Sequence, residues 1–266
     1  MDREKYRREH MENIITVNTK MYKADGSEIS AKQQILVEKE IAVKVIRKKD
    51  RKAVIEDTEK KEQIEQIEKY NIVCTKTNIK ELVVGRLFSK KVIRGLDDIV
   101  DLSIVQNDEV TVMVEDIEID RSAKINEKNE NYSRRTEFKE YRIGDIWKLI
   151  EEFSKGSEIH NKTKSAHSCF LLKDGEIVFE CEDISRHNAI DKAIGYILIN
   201  RINPESCIIY TSGRVPLDMI TKVSEAGIPV LVAKAVPTDR AVQYANENKI
   251  VLIARARRDS FEVFSD

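Results

Sequence analysis

Between Glu182 and Asn188 the chain reads EDISRHN, which sets two carboxylates, a guanidinium, an imidazole and an amide side by side. Arg186 offers the planar fork that grips phosphate in bidentate fashion. His187 has Asp183 four residues before it and Asp191 four after. It can serve as an oriented acid or base, or as a charged phosphate contact. The cluster sits where an apolar strand pattern gives way to a helical one, and Ser185 or Asn188 can cap the helix's first turn. Backbone N–H groups and the positive end of the helix dipole converge at such a junction, which suits an anion. The plainer alternative is a capped helix with a solvated charge cluster. Upstream, His167 and Cys169 are two residues apart on a strand and share a face. A protonated imidazole there would lower the thiol pKa, whereas an ordinary strand cysteine is a small buried hydrophobe.

Further candidates recur at the ends of later apolar runs. Ser212-Gly213-Arg214 follows SCIIYT, Lys234 and Pro237-Thr238 follow IPVLVA, and Arg255, Arg257 and Arg258 follow the run from Ile250 to Ala254. In an open α/β sheet, ligands bind beyond the carboxyl ends of the strands, so these positions should converge. A pyrophosphate or nucleotide-like group is the natural ligand. Neither a Walker loop nor Gly-x-Gly-x-x-Gly occurs, so ordinary mononucleotide and dinucleotide folds are not indicated.

The elements that must position these groups are legible from periodicity. Apolar runs around Asp174-Gly175 predict a hairpin. Ala189, Ile190, Ala193, Ile194, Ile197 and Leu198 mark one face of the helix that follows. Ser206–Thr211, Ile228–Ala233 and Ile250–Ala254 read as buried strands separated by helices over Pro216–Ala226 and from Thr238 to about Asn248. That β-α-β-α-β order predicts a parallel sheet. The first half is an α+β unit. It has strands at Ile14–Val17, Glu40–Lys48, Asn71–Thr75 and Glu109–Val114, and a turn at Asp25-Gly26. Asn78 caps a helix over Ile79–Phe88 in which Gly85 permits close packing. Glu56–Lys69 reads as an exposed helix or excursion, Lys155–Lys164 as a polar loop and Tyr141–Phe153 as an amphipathic helix. The expected division is a smaller domain over 1–125, a linker over 126–140 and an α/β domain over 141–266.

Of the 266 residues, 35% are charged, yet the net charge is only -1. This balance gives no support for bulk nucleic-acid or membrane binding. The chain shows no apolar run that would span a bilayer and no signal-peptide core, so a cytoplasmic protein is expected. The four cysteines, Cys74, Cys169, Cys181 and Cys207, form neither a Cys-x-x-Cys pair nor a zinc-ligand spacing.

The runs AHSCFLLKDGEIVFECEDISRHNAIDKAIG, YTSGRVPLDMITKVSEAGIPVLVAKAVPTDRAV and FEVFS closely resemble the FdhD family of formate dehydrogenase accessory sulfurtransferases. TNIKELVVGRLFSKKVIRGLDDI resembles a helix of that family more weakly. The resemblance implies a cytidine-deaminase-like α/β C-terminal domain with a mostly parallel sheet, plus a smaller α+β domain, in a homodimer. It implies transfer of sulfur from a cysteine desulfurase to the bis-guanine-dinucleotide molybdenum cofactor, bound as substrate, before insertion into formate dehydrogenase. No zinc is expected, because the deaminase ligand motifs are absent. Expected cofactor contacts are Arg186, His187, Asn188, Asp191, Ser212, Gly213, Arg214, Pro237, Thr238, Ser260, Phe261, Glu262, Val263, Phe264 and Ser265. The family usually carries a Cys-x-x-Cys loop between its halves. The corresponding stretch here, about Asn126–Thr136, has no cysteine. If sulfur is relayed, Cys169 beside His167 is the first choice of carrier. A cofactor-binding chaperone without thiol chemistry is the alternative, and an unrelated nucleotide-binding enzyme with His187 as base is a third.

Overall fold

The structure, a computed structural model, describes residues 12–48, 64–105, 108–115 and 140–266. The expected linker lies almost wholly outside them, as does Glu56–Gln63.

The first strands, β1 (Ile14–Tyr22) and β2 (Glu28–Leu36), form an antiparallel ribbon that turns through Asp25-Gly26. Next come β3 (Lys39–Lys48), β4 (Ile64–Cys74), helix α1 (Ile79–Ser89), β5 (Ile99–Val105) and β6 (Glu109–Val114). These strands make a four-stranded sheet in the order β4-β3-β6-β5, with β3 and β6 parallel. Ile64–Lys69 is therefore strand, not the helix or excursion expected. The charge-rich composition behind that expectation belongs to an edge strand paired with β3 along its whole length, and charged side chains are a common protection for such an edge.

The second half contributes α2 (Glu140–Ser154), α3 (Glu158–Thr163), β7 (His167–Lys173), β8 (Glu176–Asp183), α4 (Arg186–Ile199) and β9 (Cys207–Thr211). It closes with α5 (Leu217–Glu225), β10 (Val230–Ala233), α6 (Asp239–Glu247), β11 (Val251–Ala254) and β12 (Glu262–Ser265). Asp174 (φ 50) and Gly175 (φ 77) turn the β7–β8 hairpin through two left-handed residues, as the Asp-Gly signal requires.

The six-stranded sheet runs β12-β11-β10-β9-β7-β8. Its middle, β9-β10-β11, is parallel as expected. The sheet as a whole is mixed rather than mostly parallel, because β12, β7 and β8 all pair antiparallel. The hairpin adds its two strands beside β9 without a crossover, which only an antiparallel pair can do. Helices α4, α5 and α6 cover one face of this sheet, and Ile146, Leu149 and Ile150 of α2 cover the other. The chain is thus a mixed α/β fold.

The two halves share one core. Ile41, Val43, Val110 and Val112 of the four-stranded sheet belong to the same buried cluster as Ile190, Ile194 and Ile209. Helix α1 lies against α4, and the approach is set by two glycines. A Cβ on Gly85 would collide with the carbonyl of Asp191, and one on Gly195 with that of Glu81. The sequence expectation for Gly85 therefore has a specific partner. Two other local expectations change. Asn78 precedes α1 in a left-handed conformation (φ 54) and makes no side-chain cap bond. The polar stretch from Lys155 to Lys164 contains α3, whose first N–H groups are held by a distant carboxylate described below.

Gly195→Ala should cost about 3 kcal/mol, because the obstacle is backbone and the helices must part. Gly144→Ala, at an exposed helical position with nothing near, should be neutral or add about 0.5–1 kcal/mol. Urea midpoints of the two variants check the contrast.

Candidate functional site

The register of the sheet decides which residues meet. The carboxyl ends of β9, β10 and β11 lie on one edge. Cys169 pairs with Thr211 and His167 with Asp183, so the start of β7 and the end of β8 reach that same edge. The rim therefore carries His167, Arg186, His187, Ser212-Gly213-Arg214, Lys234, Pro237-Thr238, Arg255 and the start of the last strand. The convergence expected from the sheet rule is present.

The expected cluster from Glu182 to Asn188 divides into a buried half and a rim half. Asp183 and Lys192 are both fully buried, with 2.7 Å between Oδ2 and Nζ. Lys192 Nζ also donates to Thr75 Oγ1 (2.7 Å) and to the carbonyl of Glu182 (3.0 Å). Asp183 accepts from the backbone N–H groups of Thr75 and Ser185 and from Asn188 Nδ2. The Glu182 carboxylate turns the other way and accepts from the N–H groups of Ile159 and His160, both at 2.8 Å, at the start of α3.

Asn188 and Asp191, expected as cofactor contacts, belong to this interior. Asn188 donates to the Val73 carbonyl and accepts from Arg86. Asp191, with no exposure, is paired with Arg86 (2.7 Å) and Lys222 (2.7 Å). They tie α4 to α1, β4 and α5, and leave no group for a ligand. Neither Asp183 nor Asp191 orients His187. Its partner is Asp218 in the first turn of α5, at 3.6 Å.

On the rim, Ser185 caps α4 by accepting from the His187 N–H (3.2 Å). The Arg186 side chain runs beneath Gly213, where an added Cβ would lie 2.9 Å from the arginine's own Cβ. Its Nε is buried without a hydrogen-bond partner. Ser212 Oγ lies 3.2 Å from His167 Nδ1 and accepts from the Ser168 N–H. Arg214, Lys234, Thr238 and Arg257 are exposed. Arg255 is paired with Glu262 at 3.2 Å, and Arg258 donates to the Ser154 carbonyl. The segment from Ser260 to Ser265 starts at the rim and leaves it. Phe261 packs on Trp147 (5.0 Å between centroids), while Ser265 pairs with Leu252 toward the other end of β11. Of that segment only Ser260, Phe261 and Glu262 lie at the rim, and Val263, Phe264 and Ser265 run away from it.

The thiols contrast with the rim. All four cysteines are free and fully buried. Cys169 stands opposite Cys181 across β7 and β8, beneath α4. Burial, then the hydrogen bond with Cys169, pushes the Cys181 thiol well up, and burial pushes Cys74 up to about 12. His167 does not supply the imidazolium expected beside Cys169. Burial first, then the Arg186 guanidinium, hold it below the ordinary histidine value. Burial likewise lowers His187, against the opposing pull of Asp218. Among the described residues no group of three or more His, Cys, Asp or Glu side chains could hold a metal ion. No described helix is long and apolar enough to cross a membrane.

The sequence profile of the FdhD/NarQ family matches residues 55–266. The chain belongs to this family. The sulfur carrier protein FdhD of Sulfurisphaera tokodaii is 31% identical over 206 residues, which is 73% of this chain and 81% of that protein. The protein FdhD of Methanocaldococcus jannaschii is 39% identical over 123 residues, 46% of this chain. That match spans only about half of the relative, 54% of its length. A crystal structure of a formate dehydrogenase accessory protein from Desulfotalea psychrophila superposes with a TM-score of 0.72, covering 95% of this chain and 97% of the other. At 20% identity that likeness carries the fold.

Sequence reasoning missed His160 and the buried Lys192 network. His160 sits in a stretch read as loop. Lys192 lies on a helix face that periodicity treats as apolar, and nothing local marks a lysine as buried.

Lys192→Met leaves the Asp183 carboxylate unpaired and should cost about 3–5 kcal/mol, with part regained in Lys192→Met/Asp183→Asn. Denaturant titration of both variants reads this. His167 and His187 both titrate lower in the fold than in the unfolded chain, where the ordinary value is about 6.5. The unfolded state therefore takes up protons first. Stability from these groups should be full above about pH 6.5 and fall as the pH drops toward the folded-state values. His167→Gln should flatten that decline in thermal melts between pH 7.5 and 5.5.

Proposed function

We propose that this protein serves formate dehydrogenase maturation by holding the bis-guanine-dinucleotide molybdenum cofactor, as cargo, on the strand-end rim, without passing sulfur through a thiol of its own. The observation that carries this reading is the separation of the two chemistries. Every cysteine of the chain is buried, whereas the rim presents Arg214 and Lys234 to solvent and holds Arg186 and His187 half-buried at the start of α4. A persulfide carrier needs a thiolate that a donor protein can reach. An anion site needs cations and N–H groups, and the unpartnered Arg186 Nε together with the close passage of Arg186 under Gly213 fits one.

The names of the relatives favour a second reading, sulfur carriage from a cysteine desulfurase, with Cys169 as carrier. Through this chain it would need β7 and β8 to open, since Cys169 and Cys181 lie between a sheet and a helix. The same proposal places the protein in the cytoplasm, as a homodimer with formate dehydrogenase as recipient and no nucleic-acid or membrane partner. It also takes the six-stranded sheet and its helices as kin to the cytidine deaminases in fold, without their zinc chemistry.

Guanosine diphosphate should bind, and Arg186→Ala or Arg214→Ala should each weaken it by about 1.5–3 kcal/mol in calorimetry. Mass spectrometry after incubation with a cysteine desulfurase and cysteine should find no added sulfur. A persulfide on Cys169, lost in Cys169→Ala, would replace the binding reading with relay.

A further inference from the structure

Arg186 is flanked by more imidazoles than the proposed ligand contacts include. His167 lies within electrostatic reach of Arg186, His160, Asp183 and His187. His187 faces Asp218, Lys222, Arg186 and Asp191. His160 is fixed at both ends. Its backbone N–H donates to Glu182 Oε1, and its Nδ1 lies 2.8 Å from the carbonyl of Ala166. A carbonyl only accepts, so Nδ1 carries the proton and Nε2 is the ring nitrogen left for a ligand. Two imidazoles, His167 and His187, thus flank Arg186 at the start of α4, and His160 stands next to His167.

Most of the carboxylates nearby are already committed. Asp183 is taken by Lys192, Asp191 by Arg86 and Lys222, and Glu182 by the start of α3. Asp218, exposed and 3.6 Å from His187, opposes the positive charge directly at this edge. An arrangement with one permanent cation and two imidazoles that burial holds below the ordinary histidine value has a defined response to an anion. The anion favours the charged form of each imidazole, so it draws a proton from solvent onto a ring nitrogen, and the new N–H then donates to it.

We propose that His160 and His167 join Arg186, His187 and the Ser212-Gly213 turn in a single cradle for a pyrophosphate group, and that binding there brings protons in from solvent. The proposal rests on the rim as the ligand site and adds its specificity residues and its control by pH. His167 and His187 are the groups that load, because burial first, then the Arg186 charge at His167 and the Lys222 and Arg186 charges at His187, disfavour their protonated forms until a counter-charge arrives. His160, beside His167, is held in place by the Glu182 carboxylate on its backbone N–H and by the Ala166 carbonyl on Nδ1, which leaves Nε2 to contribute. Affinity for a pyrophosphate ligand therefore rises as the pH falls, and a ligand lacking the anion gains nothing from acid.

Diguanosine pyrophosphate is the suitable probe, because it has no terminal phosphate and does not itself titrate between pH 6 and 8. Calorimetry on the full chain, in two buffers of different ionisation heat, counts the protons taken up on binding. We expect net uptake near pH 7 and roughly fivefold tighter binding at pH 6 than at pH 8. His167→Gln and His187→Gln should each lower the proton count and flatten the pH profile, which a merely structural role would not do. His160→Asn keeps a donor toward Ala166 and removes Nε2, and should weaken binding severalfold. Binding without proton uptake, or with an uptake unchanged in both glutamine variants, overturns the cradle and leaves the rim site standing. No binding at any pH overturns both.

Discussion

The structure depends on a charge that has been taken out of water. Asp183 and Lys192 are both inaccessible, and two ions removed to the interior cost several kcal/mol each unless attraction and hydrogen bonds offset the loss. Here the offset is nearly complete. Asp183 accepts from two backbone N–H groups and an amide, and Lys192 donates to a hydroxyl and a carbonyl beside the carboxylate. Those partners come from different parts of the chain. Thr75 follows β4 in the first half, Glu182 ends β8, and Asn188 and Lys192 belong to α4. The pair contributes less to raw stability than to a single geometry. It fixes where β8 ends and α4 begins, and so where Arg186 and His187 emerge. The glycine contact between α1 and α4 serves the same junction from below, since any Cβ there would push the helices apart.

That junction also explains why thiol chemistry and the rim are separate. Along β7 the residues His167, Cys169 and Leu171 alternate onto the face covered by α4, so only the first of them lies at the edge. Moving inward by two residues takes the side chain from a half-open position to none. The Cys169 thiol is then out of reach of a donor protein, and burial holds the neighbouring His167 below the ordinary histidine value. The two residues do share a strand face. The depth gradient along that face is what separated them.

Much of the second half was legible because its signals are local. The Asp-Gly turn, Ser185 and Thr238 as caps, and the all-apolar runs of β9, β10 and β11 all require only neighbours in sequence. What was illegible depends on partners far along the chain. Helix α3 is six residues long with an N-cap serine that makes no cap bond, and the Glu182 carboxylate at the end of β8 does that work instead. Ile64–Lys69 reads as exposed helix or excursion from its charge-rich composition and is strand because β3 pairs with it. Asn188 and Asp191 look like ligand contacts beside Arg186 and His187, yet helical rotation turns them inward. Alternation and helical period predict faces, and only the fold says which face is interior.

The rim's value as a binding surface lies in how little it must rearrange. Successive loops are bonded to one another through the backbone. Ser212 N–H donates to Ser168, Lys234 to Thr211, Val215 to Val236, Thr238 to Val215, Arg255 to Ala235 and Ala256 to Ala233. Each loop therefore inherits its position from a strand and is also fixed to the loop beside it. An extended ligand spanning several loops meets donors already in place, and less of the interaction energy goes into ordering the protein. The same ties confine adaptability to side chains. Arg214, Lys234 and Arg257 are long and exposed, whereas Arg186 is held beneath Gly213. An arginine held at the centre with exposed cations around it selects first for an anionic group at one fixed point, and tolerates variation in what extends from it.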